Sequence, residues 1–221
     1  MMEMADEVGW NDIPEDDRHI MTHHTKSGSS IALNGSDMYG YFVSGNSRRI
    51  NEALRNAPDD DPFKGLRAED VETINALDRN MRKTTETIYL GRMAGDGILA
   101  DFGFSEASSG KVHANESFRQ LKVKDVESAM VGKVIVNKGY TSTSYDMSEN
   151  KWTGKPIRFE IKAPKGTPML MSTVRGWSGA PEQAEMLLPR GTAMQITGVR
   201  LKDAKYGGVE QVIIECEVIT D

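Results

Sequence analysis

Gln183-Ala184-Glu185-Met186-Leu187-Leu188-Pro189-Arg190-Gly191 is the stretch whose reading decides the fold. It sets an amide and a carboxylate two residues apart at the start of an apolar run. Side chains i and i+2 on a strand share a face. Gln183 and Glu185 therefore converge on one point, while Ala184 and Met186 face the other way. Outward toward the N-terminus, Gly139-Tyr140-Thr141-Ser142-Thr143-Ser144 reads as a strand of small hydroxyls. It is followed by Trp152-Thr153-Gly154-Lys155-Pro156-Ile157 and then by Phe159-Glu160-Ile161. Alone, a Gln-x-Glu strand is an exposed face, and Ser and Thr merely favour an edge strand. Their conjunction in this order is what carries information.

Farther out, Ser47 to Arg55 has helical spacing, with Ile50 and Leu54 on one face and Asn51 and Arg55 sharing a second. Asn56-Ala57-Pro58-Asp59-Asp60-Asp61-Pro62 breaks it. A second helix is expected from about Ala68 to Lys83, its charges forming a solvated face. Thr87 to Leu90 reads as a strand stopped by Gly91, Gly95-Asp96-Gly97 as a turn, and Phe102 to Val112 as a loop. A further helix covers Val123 to Val131. Strands follow at Tyr140–Ser144, Ile157–Lys162, Pro168–Ser172, Glu185–Leu188, Ala193–Leu201 and Val209–Val218, punctuated by Gly and Pro. Helices first and strands afterwards predict an α+β domain. No internal repeat is visible. Residues 1–37 are polar and turn-rich, with an acidic cluster at Glu15-Asp16-Asp17, and read as a loosely attached N-terminal arm; residues 38–221 form the domain.

The chain has 221 residues, enough for one ordinary domain. Its net charge of -6 argues against a broad electrostatic grip on nucleic acid and leaves room for a local basic patch, as from Lys111, Arg119, Lys122, Lys124 and Lys133. The single cysteine, Cys216, excludes an intrachain disulfide and reads as a buried strand thiol. His19 and His23 have the i, i+4 spacing of a helical zinc pair, but with no cysteine nearby they read as solvated surface residues, so no metal is expected. The acidic N-terminus has no apolar signal core, and no apolar run approaches the roughly 20 residues of a membrane span. A soluble, cytoplasmic protein, working inside its own or a host cell, is the expectation.

Together the motifs resemble those of the mono-ADP-ribosyltransferases, which cut the nicotinamide glycosidic bond of NAD+. The Gln-x-Glu-Met-Leu-Leu-Pro-Arg run is similar to that of the Rho-modifying clostridial exoenzymes. Phage-encoded ADP-ribosyltransferases share the general pattern, including Phe159-Glu160-Ile161-Lys162-Ala163-Pro164. The resemblance covers roughly Gly45 to the C-terminus and implies N-terminal helices packed on a two-sheet β core. It implies that Glu185 is the catalytic carboxylate, that Gln183 orients the acceptor, and that Ser142, with Thr143 and Ser144, shapes the nicotinamide pocket. Trp152 would cover nicotinamide, Arg55 and Lys155 would meet the phosphates, and Asn51 of the first helix would reach NAD+.

Two positions depart from the family pattern. Its first strand ends Tyr-Arg; here Tyr89 is followed by Leu90, and Arg92 is the expected substitute if the strand continues. The exoenzymes carry an aromatic three residues before the glutamine, where this chain has Ala180, so Trp177 becomes the expected acceptor-recognition residue. In this family, glutamine at position 183 goes with acceptors other than arginine. Glu182 would bring arginine back if the loop bulged there. The implied function is transfer of ADP-ribose from NAD+ to a macromolecule, a protein side chain in preference to a nucleic-acid base, with an inhibitor or antitoxin as a sensible further partner. The alternative from another class is a non-catalytic binding module with a decayed NAD+ site.

Overall fold

The computed structural model describes residues 13–22, 46–95, 98, 123–145, 157–172, 185–202 and 211–220. Its elements, in chain order, are α1 (Glu15–Thr22), α2 (Asn46–Asn56), α3 (Ala68–Arg79), β1 (Arg82–Lys83), β2 (Ile88–Ala94), α4 (Val123–Met130), β3 (Val134–Asn137), β4 (Thr141–Ser144), β5 (Ile157–Ala163), β6 (Pro168–Ser172), β7 (Glu185–Leu188), β8 (Thr192–Lys202) and β9 (Gln211–Val218). Helices dominate the first part and strands the second, as expected of an α+β fold. The chain divides into two compact units. One comprises Met1–Lys83, Lys138–Thr141 and Pro168–Gly191; the other comprises Thr84–Asn137, Ser142–Thr167 and Thr192–Asp221.

The first unit joins α1, α2 and α3 to the strand series β1-β6-β7. β6 and β7 are antiparallel, with Leu170 opposite Leu187 and Ser172 opposite Glu185. Their apolar residues and those of the helices form one core of Ile13, Ile50, Leu54, Ile74, Leu77 and Leu187, with Tyr140 buried among them. Non-directional burial of this kind holds the helices on the strands. Directional contacts then fix their alignment. Asp70 of α3 is fully buried and takes both terminal nitrogens of Arg49 of α2, at 2.5 and 2.6 Å, together with the Arg67 backbone N–H at 3.1 Å.

Three expectations change here. Residues 15–22 are a helix, not part of a loose arm. Ile13 enters the core, and Asp17 accepts hydrogen bonds from Arg79 and from Asn80 Nδ2. A helix this short carries too little apolar periodicity to be legible. The charges of α3 are likewise not a solvated face, because Asp70, Asp78 and Arg79 all have partners. The helix also ends at Arg79, and Arg82–Lys83 pairs instead with Pro168–Met169 as a short strand.

The second unit carries the strand series β4-β2-β5-β9-β8-β3. β5 and β9 are parallel and the other pairs antiparallel. β2 does not stop at Gly91. It runs on to Ala94, with Gly91 paired to Glu160 on one side and Ser144 on the other. A glycine flanked by two paired strands is held by their ladders, which overrides its weak strand preference. β3, with Val134 and Val136 exposed, lies at one end of the series and was not anticipated.

Candidate active site

Among the expected site residues of the second unit, Arg92 is the best defined. Register places it opposite Phe159, on the same face of β2 as Leu90, which is paired with Ile161. Leu90 is fully buried, whereas Arg92 is half-buried, and its Nη1 donates to the Ser142 carbonyl at 3.2 Å. The guanidinium thus lies against the Ser142-Thr143-Ser144 strand, held there because β2 continues through Gly91 and pairs with β4. In β4, Ser142 is exposed while Thr143 and Ser144 are buried. A guanidinium carries five donors in a planar fork, a donor set that suits phosphate oxygens. The chemistry of Arg92 therefore fits a dinucleotide phosphate.

Tyr89 is not on that face. It is 63% exposed and paired in register with Lys162, whose ammonium meets Glu217 at 3.0 Å. The hydrogen bond that Lys162 donates to Glu217 raises the Lys162 pKa. Tyr89 and Arg92 thus point to opposite sides of β2. The first of these faces continues as a charged ladder in which Arg200 bridges Glu160 at 2.6 Å and Glu215 at 2.8 Å. Cys216 is buried in β9, and burial pushes its thiol pKa up to about 12, with the Glu215 charge adding to the effect. It is a core thiol, as the sequence indicated.

In the first unit, Asn51 and Arg55 lie on α2 beside the buried Ile50 and Leu54. The Asn51 amide oxygen accepts the Tyr140 backbone N–H at 2.7 Å. Only a residue without a Cβ fits before that bond, since one added at Gly139 would sit 2.7 Å from Asn51 Oδ1. Asn51 thus anchors the chain entering the Ser-Thr-Ser strand, a role its spacing with Arg55 did not reveal. Glu185 opens β7 opposite Ser172. Gln183, Trp152, Lys155, Trp177, Ala180 and Glu182 lie outside the described residues, as do His23, Lys111, Arg119 and Lys122.

A cleft of about 500 Å³ opens in the first unit at the far end of β7 from Glu185, between Leu54, Pro58, Met81, Pro168 and Pro189. Among the described residues, none of those expected to bind NAD+ or to act in catalysis lines it. Its charges are matched internally, Lys138 to Asp59 at 2.6 Å and Arg190 to Asp78 at 2.8 Å. Among the described residues there is no cluster of three metal-ligating side chains, and no helix is long and apolar enough to cross a membrane.

The family model for the ADP-ribosyltransferase exoenzyme matches residues 26–221. The chain belongs to that family. Membership makes it an NAD+-dependent ADP-ribosyltransferase, with NAD+ as substrate. Solved structures of similar fold include the C3larvin toxin, an ADP-ribosyltransferase from Paenibacillus larvae, at 26% identity and a TM-score of 0.57, over 79% of this chain and 82% of that one. Plx2a, an ADP-ribosyltransferase toxin from the same organism, shares 20% identity over 99% of this chain and 92% of its own, with a TM-score of 0.70. C3stau2 from S. aureus, solved with NAD, shares 22% identity over 100% and 92%, with a TM-score of 0.69. Among curated proteins, none matches. The family assignment removes the non-catalytic alternative.

Proposed function

We propose that this ADP-ribosyltransferase acts on a protein side chain other than arginine. The observation that carries the reading is Gln183 standing two residues before Glu185, where a glutamate would favour a guanidinium acceptor. A carboxylate can hold and deprotonate a guanidinium, whereas an amide pairs with another amide. The seat of Arg92 on the Ser142 carbonyl supports its use as the phosphate-binding arginine in place of the family's Tyr-Arg pair.

The chemistry then runs as follows. The bond between ribose C1′ and the nicotinamide nitrogen breaks, and its electron pair leaves with nicotinamide. C1′ becomes oxocarbenium-like, and the Glu185 carboxylate stabilises that charge. The leaving group is already cationic and departs neutral, so no strong general acid is needed and one carboxylate suffices. A nucleophilic atom of the acceptor, oriented by Gln183, attacks C1′ and releases its proton. Trp152 stacks on nicotinamide, Lys155 and Arg55 meet the phosphates, and Trp177 serves acceptor recognition.

Labelled NAD+ incubated with whole-cell lysate tests this, with Glu185→Gln as control. Label that depends on Glu185, resists nuclease and yields to protease supports the reading. Nuclease-sensitive label would move the acceptor to nucleic acid. Label that persists when the arginines of the lysate are blocked would preserve the non-arginine assignment, and loss on blocking would overturn it. Full activity of Glu185→Gln would remove Glu185 from the chemistry.

A further inference from the structure

We propose that Asp78 is a positioning residue for the transferase reaction, its carboxylate tying both the strand that begins at Glu185 and the chain entering the Ser-Thr-Ser strand to α3. This rests on the reading of Glu185 as the catalytic carboxylate. Asp78 Oδ2 accepts from Arg190 Nε at 2.8 Å, and Oδ1 lies 2.6 Å from the Tyr140 hydroxyl. That hydroxyl is also 3.1 Å from the Ile74 carbonyl. A hydroxyl has one proton, and the shorter contact to a charged acceptor takes it. Tyr140 is fully buried and directly precedes Thr141, the first residue of β4. Arg190 follows β7 after Pro189, and its guanidinium carbon also stands 5.2 Å from the centre of the Phe63 ring.

The ladder between β6 and β7 fixes those strands against each other but not against α3. What joins them to α3 is the apolar cluster of Ile74, Leu77, Leu170 and Leu187, which resists separation more than sliding. The two bonds of Asp78 are directional; one acts just past the end of the strand that starts with Glu185, the other just before the Ser-Thr-Ser strand. Asn51 also holds Tyr140, its amide oxygen accepting the Tyr140 backbone N–H. A carboxylate that must sit beside a developing charge is sensitive to displacements of about 1 Å, which can cost on the order of a hundredfold in rate.

The test measures nicotinamide release in the presence of lysate for Asp78→Ala, Asp78→Asn, Arg190→Gln, Arg190→Lys, Asp59→Asn and Glu185→Gln. Turnover is normalised to sites that bind NAD+ in a titration, so unfolded enzyme does not count. Asp78→Ala and Arg190→Gln are expected to lower kcat about tenfold or more, with KM for NAD+ within about twofold. Arg190→Lys should recover part of the loss, and Asp59→Asn should behave as wild type. The Asp78→Asn/Arg190→Gln double variant should be no slower than the slower single one, because both break the same charged pair. If Asp78→Ala does not fold, that double-variant comparison decides, and additive losses overturn the proposal. A kcat within twofold of wild type in folded Asp78→Ala also overturns it, as does an equal loss in Asp59→Asn. An active Glu185→Gln would instead overturn the reading of Glu185, whereas an inactive one beside unchanged Asp78 and Arg190 variants would overturn the positioning role alone.

Discussion

Gly139→Ala should destabilise the protein through one hydrogen bond, and removing that bond's acceptor should remove most of the penalty. Gly139 is not among the glycines at positive φ, which are Gly65, Gly132, Gly166 and Gly191, so space rather than backbone strain decides the outcome. The new Cβ would meet Asn51 Oδ1 at 2.7 Å and Cγ at 3.2 Å, inside the 3.4–4 Å of ordinary contact. Asn51 must withdraw, and its 2.7 Å bond from the Tyr140 N–H is then lost. Tyr140 is fully buried, so water does not replace that acceptor. An unsatisfied buried donor costs about 1–3 kcal/mol. Restricting the unfolded chain returns about 0.4–1 kcal/mol. The net expectation is a loss of about 1–2 kcal/mol, a fall in Tm of roughly 2–8 °C for a chain of this size.

In the Asn51→Ala background the acceptor and Cγ are gone, and of the three nearest atoms the Asn51 Cβ remains, at 3.3 Å. Gly139→Ala should then be neutral within about 0.5 kcal/mol, because the bond it would break no longer exists. The assay is urea unfolding followed by circular dichroism on wild type, both single variants and the double variant. Coupling of about 1 kcal/mol or more is expected. Losses that add would refute the reasoning, since they would mean that Asn51 does not hold the Tyr140 N–H.

Gln183→Ala should impair transfer more than hydrolysis of NAD+, because the glutamine serves the acceptor; equal losses of transfer and nicotinamide release would contradict that role. Arg92→Ala should raise KM for NAD+ by about tenfold, the scale of one charge-assisted contact of about 1.5 kcal/mol, with Arg92→Lys intermediate; an unchanged KM in both would leave the phosphates to other residues. Acid should destabilise the first unit. The hydrogen bond from Arg79 lowers the Asp17 pKa; for Asp70, burial pushes upward but the bonds from Arg49 and Arg67 outweigh it. A carboxylate depressed in the folded state contributes stability above its unfolded pKa, and that contribution is lost as pH falls through the folded value. Denaturant midpoints should therefore decline below about pH 4, and Asp17→Asn should flatten part of the decline; an unaltered profile would mean that Asp17 does not contribute.

The α+β order, the strands that hold Ser142-Thr143-Ser144 and Glu185, and the family were legible because each rests on local pattern. Gln183-x-Glu185 and Ser142-Thr143-Ser144 are short runs whose residue types and order suffice. The helical spacing of Ile50 and Leu54 announced α2 in the same way, and both residues are buried. The contacts that hold those motifs were not legible. Asp78 looked like one charge on a solvated helix face, and its partner Arg190 lies 112 positions away in the chain. Asp17 and Arg79 are separated by 62 positions, and no local period reports such a pair.

Whether Arg92 could replace the missing arginine also depended on more than sequence. Alternation puts positions 90 and 92 on one face only if the strand survives Gly91, and a glycine between them argues by propensity that it does not. Pairing with β4 and β5 on both sides settles the matter in favour of the strand. Sequence by itself determined the chemistry, because the amide, the carboxylate and the hydroxyls are properties of residues. Tertiary structure alone decided which side chains anchor the strands that carry them, because hydrogen bonds are made between groups that only folding brings within 3 Å.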